Sequence, residues 1–282
     1  MIYNALFATP VHTTGPIMKP RFSRRLTRQT LSLLAGLVIA IAGAVSAHAA
    51  EATIAVAANF ASTADKLAKA FKAESGETVV IANGSTGQIY AQIRQGAPFD
   101  AFLAADQARP ALLHKDGTAA RAPFTYATGR LALWSPDPAT IPEDGAAFLS
   151  LAELERISIA NPKLAPYGVA AKESLTALGL WQTYEKRIVM GQNIAQAFQI
   201  VAAGGAPAGF VALSQLLAAP DNLRGSHWAV PANLHTPIRQ DAVLLKRGAN
   251  NTAAEGFLAF LTSPAGCAAI RDAGYQPPDA CK

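Results

Sequence analysis

The chain has 282 residues, 24 of them basic and 19 acidic, for a formal net charge of +5. Five of the basic residues, Lys19, Arg21, Arg24, Arg25 and Arg28, precede residue 50 with no acidic residue among them, so the rest of the chain carries 19 of each sign and is formally neutral. That balance provides no basic patch for nucleic acid or for an anionic membrane surface. Once the first 49 residues are set aside, the remaining length is comfortable for two α/β domains.

Residues 1–49 read as a secretion signal. The basic start leads into an apolar run from Leu31 to Val45, and Ala47-His48-Ala49 supplies the small-x-small pattern of a cleavage site. The run falls short of the ~20 apolar residues that a spanning helix needs. No cysteine follows it, so no lipid anchor is expected, and the mature chain is expected free in the periplasm. The two cysteines, Cys267 and Cys281, lie in the carboxyl-terminal tail, where an oxidising compartment favours a disulfide.

Beyond the signal, short apolar strands alternate with helical segments. Thr53 to Ala58 reads as a strand. Phe60 to Glu74 reads as a helix with Phe60, Ala64, Leu67 and Phe71 on one face and Gly76 as its stop. Thr78 to Ala82 and Asp100 to Ala105 are strands around a helix from Gln88 to Arg94. Further strands fall at Arg130 to Trp134, Ile157 to Ala160, Ile188 to Met190, Gly209 to Leu213 and Ala242 to Lys246. Helices fall at Gly168 to Leu178 and Ile194 to Ala203, and two more run from Thr252 to Gly274 with a break near Ser263-Pro264. This alternation predicts an α/β protein with mixed, mostly parallel sheets and flanking helices. In such sheets ligands bind beyond the carboxyl ends of the strands.

Four strand-to-helix junctions are therefore the informative places. They are Ala57-Ala58-Asn59-Phe60, Ala82-Asn83-Gly84-Ser85-Thr86-Gly87, Asn161-Pro162-Lys163-Leu164-Ala165-Pro166-Tyr167-Gly168 and Gly191-Gln192-Asn193-Ile194. A helix start carries unpaired N–H groups and a partial positive charge, and so attracts anions. Small residues admit an anion to the backbone, and Asn59, Ser85 and Thr86 add side-chain donors. Only Lys163 brings a positive charge. Neutral donors suit a fully ionised oxyanion, because an anion bearing a proton would find no acceptor for it. The same Ser, Thr and Asn residues also serve as ordinary helix caps, and the junctions alone name no ligand.

The order of the junctions carries more than their composition. Ala57 to Phe60 is followed by Gly84-Ser85-Thr86-Gly87-Gln88-Ile89-Tyr90-Ala91-Gln92-Ile93, by Gly96 to Asp106, and by Asn161-Pro162 with Ala165-Pro166-Tyr167-Gly168. Gly191 to Ile194, Gly209 to Ser214 and Ala273-Gly274-Tyr275 complete a series that resembles the periplasmic molybdate-binding proteins of ABC importers. The resemblance implies a two-lobed type II periplasmic-binding-protein fold with the ligand cleft between the lobes. Residues 50–130 and 236–282 would form lobe I, and 131–235 lobe II. It implies oxyanion contacts at Asn59, at Ser85 or Thr86, at Tyr167, and at Ile194 through its backbone N–H. The ligand would be molybdate or tungstate, held through its oxygens with no protein atom on the metal and no cofactor. The partners would be the small oxyanion and an inner-membrane ABC permease, with no nucleic acid, and the protein would be a monomer and not an enzyme. Some relatives use a tyrosine within the strand that here runs from Gly209 to Leu213, where this chain has Ala212; Tyr167 would supply the phenol instead. Sulfate or another oxyanion, or an enzyme or sensor on the same fold, are the competing readings.

Other polar groups point to structure. Asp100 and Asp106 flank one strand, and Asp106 reads as a cap of the next helix. His114, His227 and His235 lack metal-ligand spacing. Trp134, Trp181 and Trp228 read as core or lobe-surface residues.

Overall fold

Buried alanine, isoleucine and valine dominate the first strand, Glu51–Ala57 (β1), in which Ile54 to Ala57 are all buried. Both of its edges and both of its faces are covered, which is why it reads as an unbroken apolar run. The helix Ala61–Ser75 (α1) lays Ala64, Leu67 and Phe71 on the sheet and ends at Gly76. Thr78–Gly84 (β2), Thr86–Arg94 (α2), Ala101–Leu103 (β3) and Ala108–Lys115 (α3) repeat the strand–helix rhythm, and Phe124–Gly129 (β4) follows. The computed structural model describes residues 50–151 and 154–281. The expected secretion signal lies outside the described residues.

After Gly129 the chain enters a second sheet. Leu131–Ser135 (β5) leads through Gly145–Leu151 (α4) to Ile157–Ala160 (β6), Pro166–Ala177 (α5) and the short Trp181–Tyr184 (α6). Ile188–Gly191 (β7), Ile194–Ala202 (α7), Ala208–Ala212 (β8), Leu213–Ala218 (α8) and Ser226–Ala229 (β9) complete this half. The chain then returns to the first sheet as Ile238–Leu244 (β10) and ends in Thr252–Phe260 (α9) and Pro264–Asp272 (α10). The break at Ser263-Pro264 is a capped start: Ser263 Oγ accepts from Gly266 N at 3.1 Å, and Pro264 opens the helix, where its missing N–H costs nothing. A disulfide joins Cys267 of α10 to Cys281 of the tail, with Cα atoms 5.7 Å apart.

The strand orders are β2-β1-β3-β10-β4 and β7-β6-β8-β5-β9. Both sheets are mixed as expected. The parallel share is half: β1–β2, β1–β3, β6–β7 and β6–β8 are parallel, and β3–β10, β4–β10, β5–β8 and β5–β9 are antiparallel. The antiparallel half enters where the chain passes between sheets. The sequence reading contains neither β4 nor β9. Both are edge strands, and their mixed polar sequences (Phe-Thr-Tyr-Ala-Thr-Gly and Ser-His-Trp-Ala) lack the continuous apolar run that marks a central strand.

The polar groups set aside above are structural. Asp100, 3% exposed, accepts from Thr53 N at 2.8 Å and from Arg247 Nε at 3.1 Å. Asp106 accepts from Arg109 N at 3.0 Å at the start of α3. Trp134 is fully buried and stacks on Phe198 with centroids 4.4 Å apart, while Trp181 lies under the Lys172 ammonium. Among the described residues no group of His, Cys, Asp or Glu could hold a metal ion.

Candidate functional site

The parallel strands of both sheets aim their carboxyl ends at one small cavity. Its wall comprises Ala57, Ala58 and Asn59 after β1, Ser85 and Thr86 after β2, and Ala105 after β3. From the second sheet come Ala165, Pro166 and Tyr167 after β6, and Asn193 and Ile194 after β7. All five residues named from the sequence, Asn59, Ser85, Thr86, Tyr167 and Ile194, are in this wall. A larger groove, lined by Arg121, Arg239, Arg271 and the tail to Cys281, contains none of them.

Local rules explain how each junction reaches the cavity. Ser85 caps α2 in a capping box: its Oγ accepts from Gln88 N at 3.3 Å and donates to Gln88 Oε1 at 2.8 Å. Asn193 caps α7 by accepting from Gln196 N at 2.9 Å. Pro166 opens α5. Gly168 lets that helix seat on the end of β6, since a Cβ there would come 2.2 Å from Ala160 O. The two sheets meet around the cavity. Gly87 N donates to Leu164 O at 2.8 Å and Arg109 Nη2 to Lys163 O at 3.3 Å, and Ser214 Oγ lies 3.2 Å from Asn59 O.

The wall is rich in donors. The backbone N–H groups of Asn59, Thr86, Tyr167 and Ile194 have no acceptor among the described residues. Those of Thr86, Tyr167 and Ile194 are first-turn groups of α2, α5 and α7, at the positive ends of three helices. Thr86 Oγ1 accepts from Ala105 N at 3.1 Å, which leaves its proton free to be given away. The Ser85 proton is committed to Gln88. The wall contains no Lys, Arg, His, Asp or Glu, and Arg109 beside it is paired with Asp106.

Asn59 differs from its sequence-stated role in one respect. Its Nδ2 donates to Gln240 Oε1 at 2.9 Å and to Tyr275 Oη at 3.2 Å, so both amide protons point into the protein. What Asn59 has left to donate is its backbone N–H, not the side-chain donor expected. Behind it Tyr126 Oη donates to Gln240 Oε1 at 3.0 Å, and Tyr275 Oη donates to Asn59 O at 2.7 Å. Sequence reasoning quoted Ser214 and Tyr275 without a role and missed Gln240 and Tyr126. No local signal marks Gln240, which stands between Arg239 and Asp241 at the polar start of β10 and is nevertheless fully buried.

Tyr167 is 1% exposed and its hydroxyl has no hydrogen-bond partner among the described residues. Burial pushes its pKa far above the ordinary tyrosine value; Tyr275 and Tyr126 nearby add to the shift, and Gln240 and Asn59 oppose it. It is therefore a neutral phenol with a proton to give. Together these groups can surround a small anion with neutral donors.

The family described as bacterial extracellular solute-binding proteins matches residues 52–276. The molybdate-binding protein ModA of Rhodobacter capsulatus is 46% identical over 246 residues, covering 87% of this chain and 93% of that protein. ModA of Azotobacter vinelandii is 45% identical over 251 residues, covering 89% and 97%. The solved structure of the Azotobacter vinelandii periplasmic molybdate-binding protein superposes with a TM-score of 0.76 at 41% identity, covering 81% of this chain and all of that one. The chain belongs to the bacterial extracellular solute-binding proteins, in one family with the molybdate-binding proteins of these two bacteria.

Proposed function

We propose that this protein captures molybdate in the periplasm and delivers it to an ABC importer of the inner membrane. The observation that carries the reading is the convergence of unpaired first-turn N–H groups from three helices, drawn from both sheets, on a cavity without a basic side chain. A dianion there would receive bonds from Asn59 N, Thr86 N and Oγ1, Tyr167 N and Oη, and Ile194 N. Its oxygens would complete the metal's coordination, so no protein ligand to the metal and no cofactor is required. Ser85 serves the site as a cap rather than as a contact.

The relatives favour molybdate, with tungstate as its chemical twin, over sulfate. The donor-only wall favours a binding role over an enzyme. Residues 50–130 with 236–282, and 131–235, would act as two lobes that close on the anion. Contacts made only in the closed form drive that closure, and the closed monomer would be what the permease recognises. Residues 1–49 would direct export and be removed.

Titration calorimetry of protein stripped of bound anion, with molybdate, sulfate and hydrogen phosphate in parallel, tests the reading. Tight one-to-one binding of molybdate with little heat from the other two is expected. A stronger response to sulfate or phosphate overturns the ligand, and silence with all three overturns the capture role.

A further inference from the structure

We infer that Gln240 is a positioning residue that turns the Tyr167 hydroxyl into an obligate donor to the bound anion; this rests on the oxyanion-capture reading above. The polarity starts at a group that can only accept, the backbone carbonyl of Asn59. Tyr275 Oη gives its one proton to that carbonyl at 2.7 Å, the shorter of the two hydroxyl contacts on it, and Ser214 Oγ, 2.8 Å from Tyr275 Oη, then turns its proton to the tyrosine oxygen. The Tyr275 oxygen is then an acceptor, and it takes one proton of Asn59 Nδ2 at 3.2 Å. The other Nδ2 proton goes to Gln240 Oε1 at 2.9 Å, and Tyr126 Oη, 3.0 Å from the same oxygen, shares its one proton with Ala104 O at 3.1 Å. These bonds fix which end of the Gln240 amide is oxygen, a choice that only its neighbours can make.

The nitrogen end is thereby turned the other way. Gln240 Nε2 and Tyr167 Oη are buried, and neither has a hydrogen-bond partner among the described residues. Both crowd the same point above Gly129: a Cβ there would lie 2.8 Å from Nε2 and 2.1 Å from the Tyr167 oxygen. An amide nitrogen can only donate, so the small shift that brings the pair into hydrogen-bonding range gives the Tyr167 oxygen a proton from Gln240. Tyr167 has one proton of its own, which then turns away from that donor, toward the cavity its side chain lines. A free phenol could both give and accept. Held this way it can only give, which favours an oxyanion without a proton and rejects one that carries a proton needing an acceptor. Gln240 touches no anion itself; it acts through Tyr167 and Asn59.

The test is a double-mutant cycle on protein purified from the periplasm and stripped of anion. Molybdate affinity and competition by hydrogen phosphate are measured for the wild type, Q240M, Y167F and the double variant. Q240M should lower molybdate affinity about tenfold in the parent, the scale of one good hydrogen bond. In the Y167F background the loss should shrink to about twofold or less, as coupled neighbours require. Hydrogen phosphate should compete better against molybdate in Q240M than in the wild type. Q240E keeps the volume and the two Oε1 bonds but turns an acceptor toward Tyr167, so its loss should equal or exceed that of Q240M; it carries the test if Q240M fails to fold. Equal losses in both backgrounds, or an unchanged molybdate-to-phosphate preference, overturn the role of Gln240 while leaving the capture reading intact. A wild-type protein that binds no oxyanion overturns both.

Discussion

Thr86 and Ser85 are neighbours at one helix start, yet their hydroxyls have different duties. Thr86 Oγ1 is fixed by the Ala105 N–H and keeps its proton, whereas the Ser85 proton is held by Gln88. Thr86→Val should therefore weaken molybdate binding by about 1.5–3 kcal/mol, the range for a hydrogen bond to a charged group, while Thr86→Ser largely restores it. Ser85→Ala should instead lower stability by about 1 kcal/mol, the usual worth of a helix cap, with a smaller effect on affinity. Calorimetry and thermal unfolding of the three variants separate the two roles; an affinity loss larger in Ser85→Ala than in Thr86→Val would reverse them. At this scale the sequence was informative about position and less so about protons. Asn59, Ser85, Thr86, Tyr167 and Ile194 all sit where a strand gives way to a helix, a place that the alternation of elements marks. The direction of each hydrogen bond depends on partners far along the chain: Gln240 lies 181 residues from Asn59 and Tyr275 lies 216.

The helices matter to the site mainly at their first turns. α2, α5 and α7 approach the cavity with orphan N–H groups because each follows a parallel strand and each is begun by a residue suited to a start: Ser85, Pro166 and Asn193. Those start signals are local, so these three helices were legible, as were the central strands β1 and β6 with their continuous burial. β4 and β9 were not, because an edge strand has one partner and a half-wetted face, and its sequence looks like a loop. Nor does local sequence reveal that β10 inserts antiparallel between β3 and β4. That insertion places Gln240 behind Asn59, so the missed strand pairing and the missed residue have a single cause.

At the scale of the whole fold, the described residues form two similarly wound sheets that touch around one cavity, and the pH response follows from what is buried there. Tyr126, Tyr167 and Tyr275 all have pKa values raised above the ordinary 10.0, burial being the largest cause for each. Below pH 10 these phenols are protonated in both folded and unfolded chains and contribute no pH dependence. Above it the unfolded chain releases protons that the folded protein retains, so stability falls by up to about 1.4 kcal/mol per pH unit for each tyrosine. Urea unfolding between pH 8 and pH 12 (chosen, roughly, to bracket the ordinary tyrosine value) should show a plateau and then this decline; a flat or rising curve would contradict the burial of the three phenols. The account depends above all on where the anion sits. The most direct measurement is an anomalous difference map at the molybdenum edge from crystals grown with molybdate. A single peak in the cavity walled by Asn59, Thr86, Tyr167 and Ile194, with only oxygen atoms bonded to the metal, is the predicted result. A peak in the arginine-lined groove with that cavity left empty, or a protein atom bonded to the metal, would contradict it.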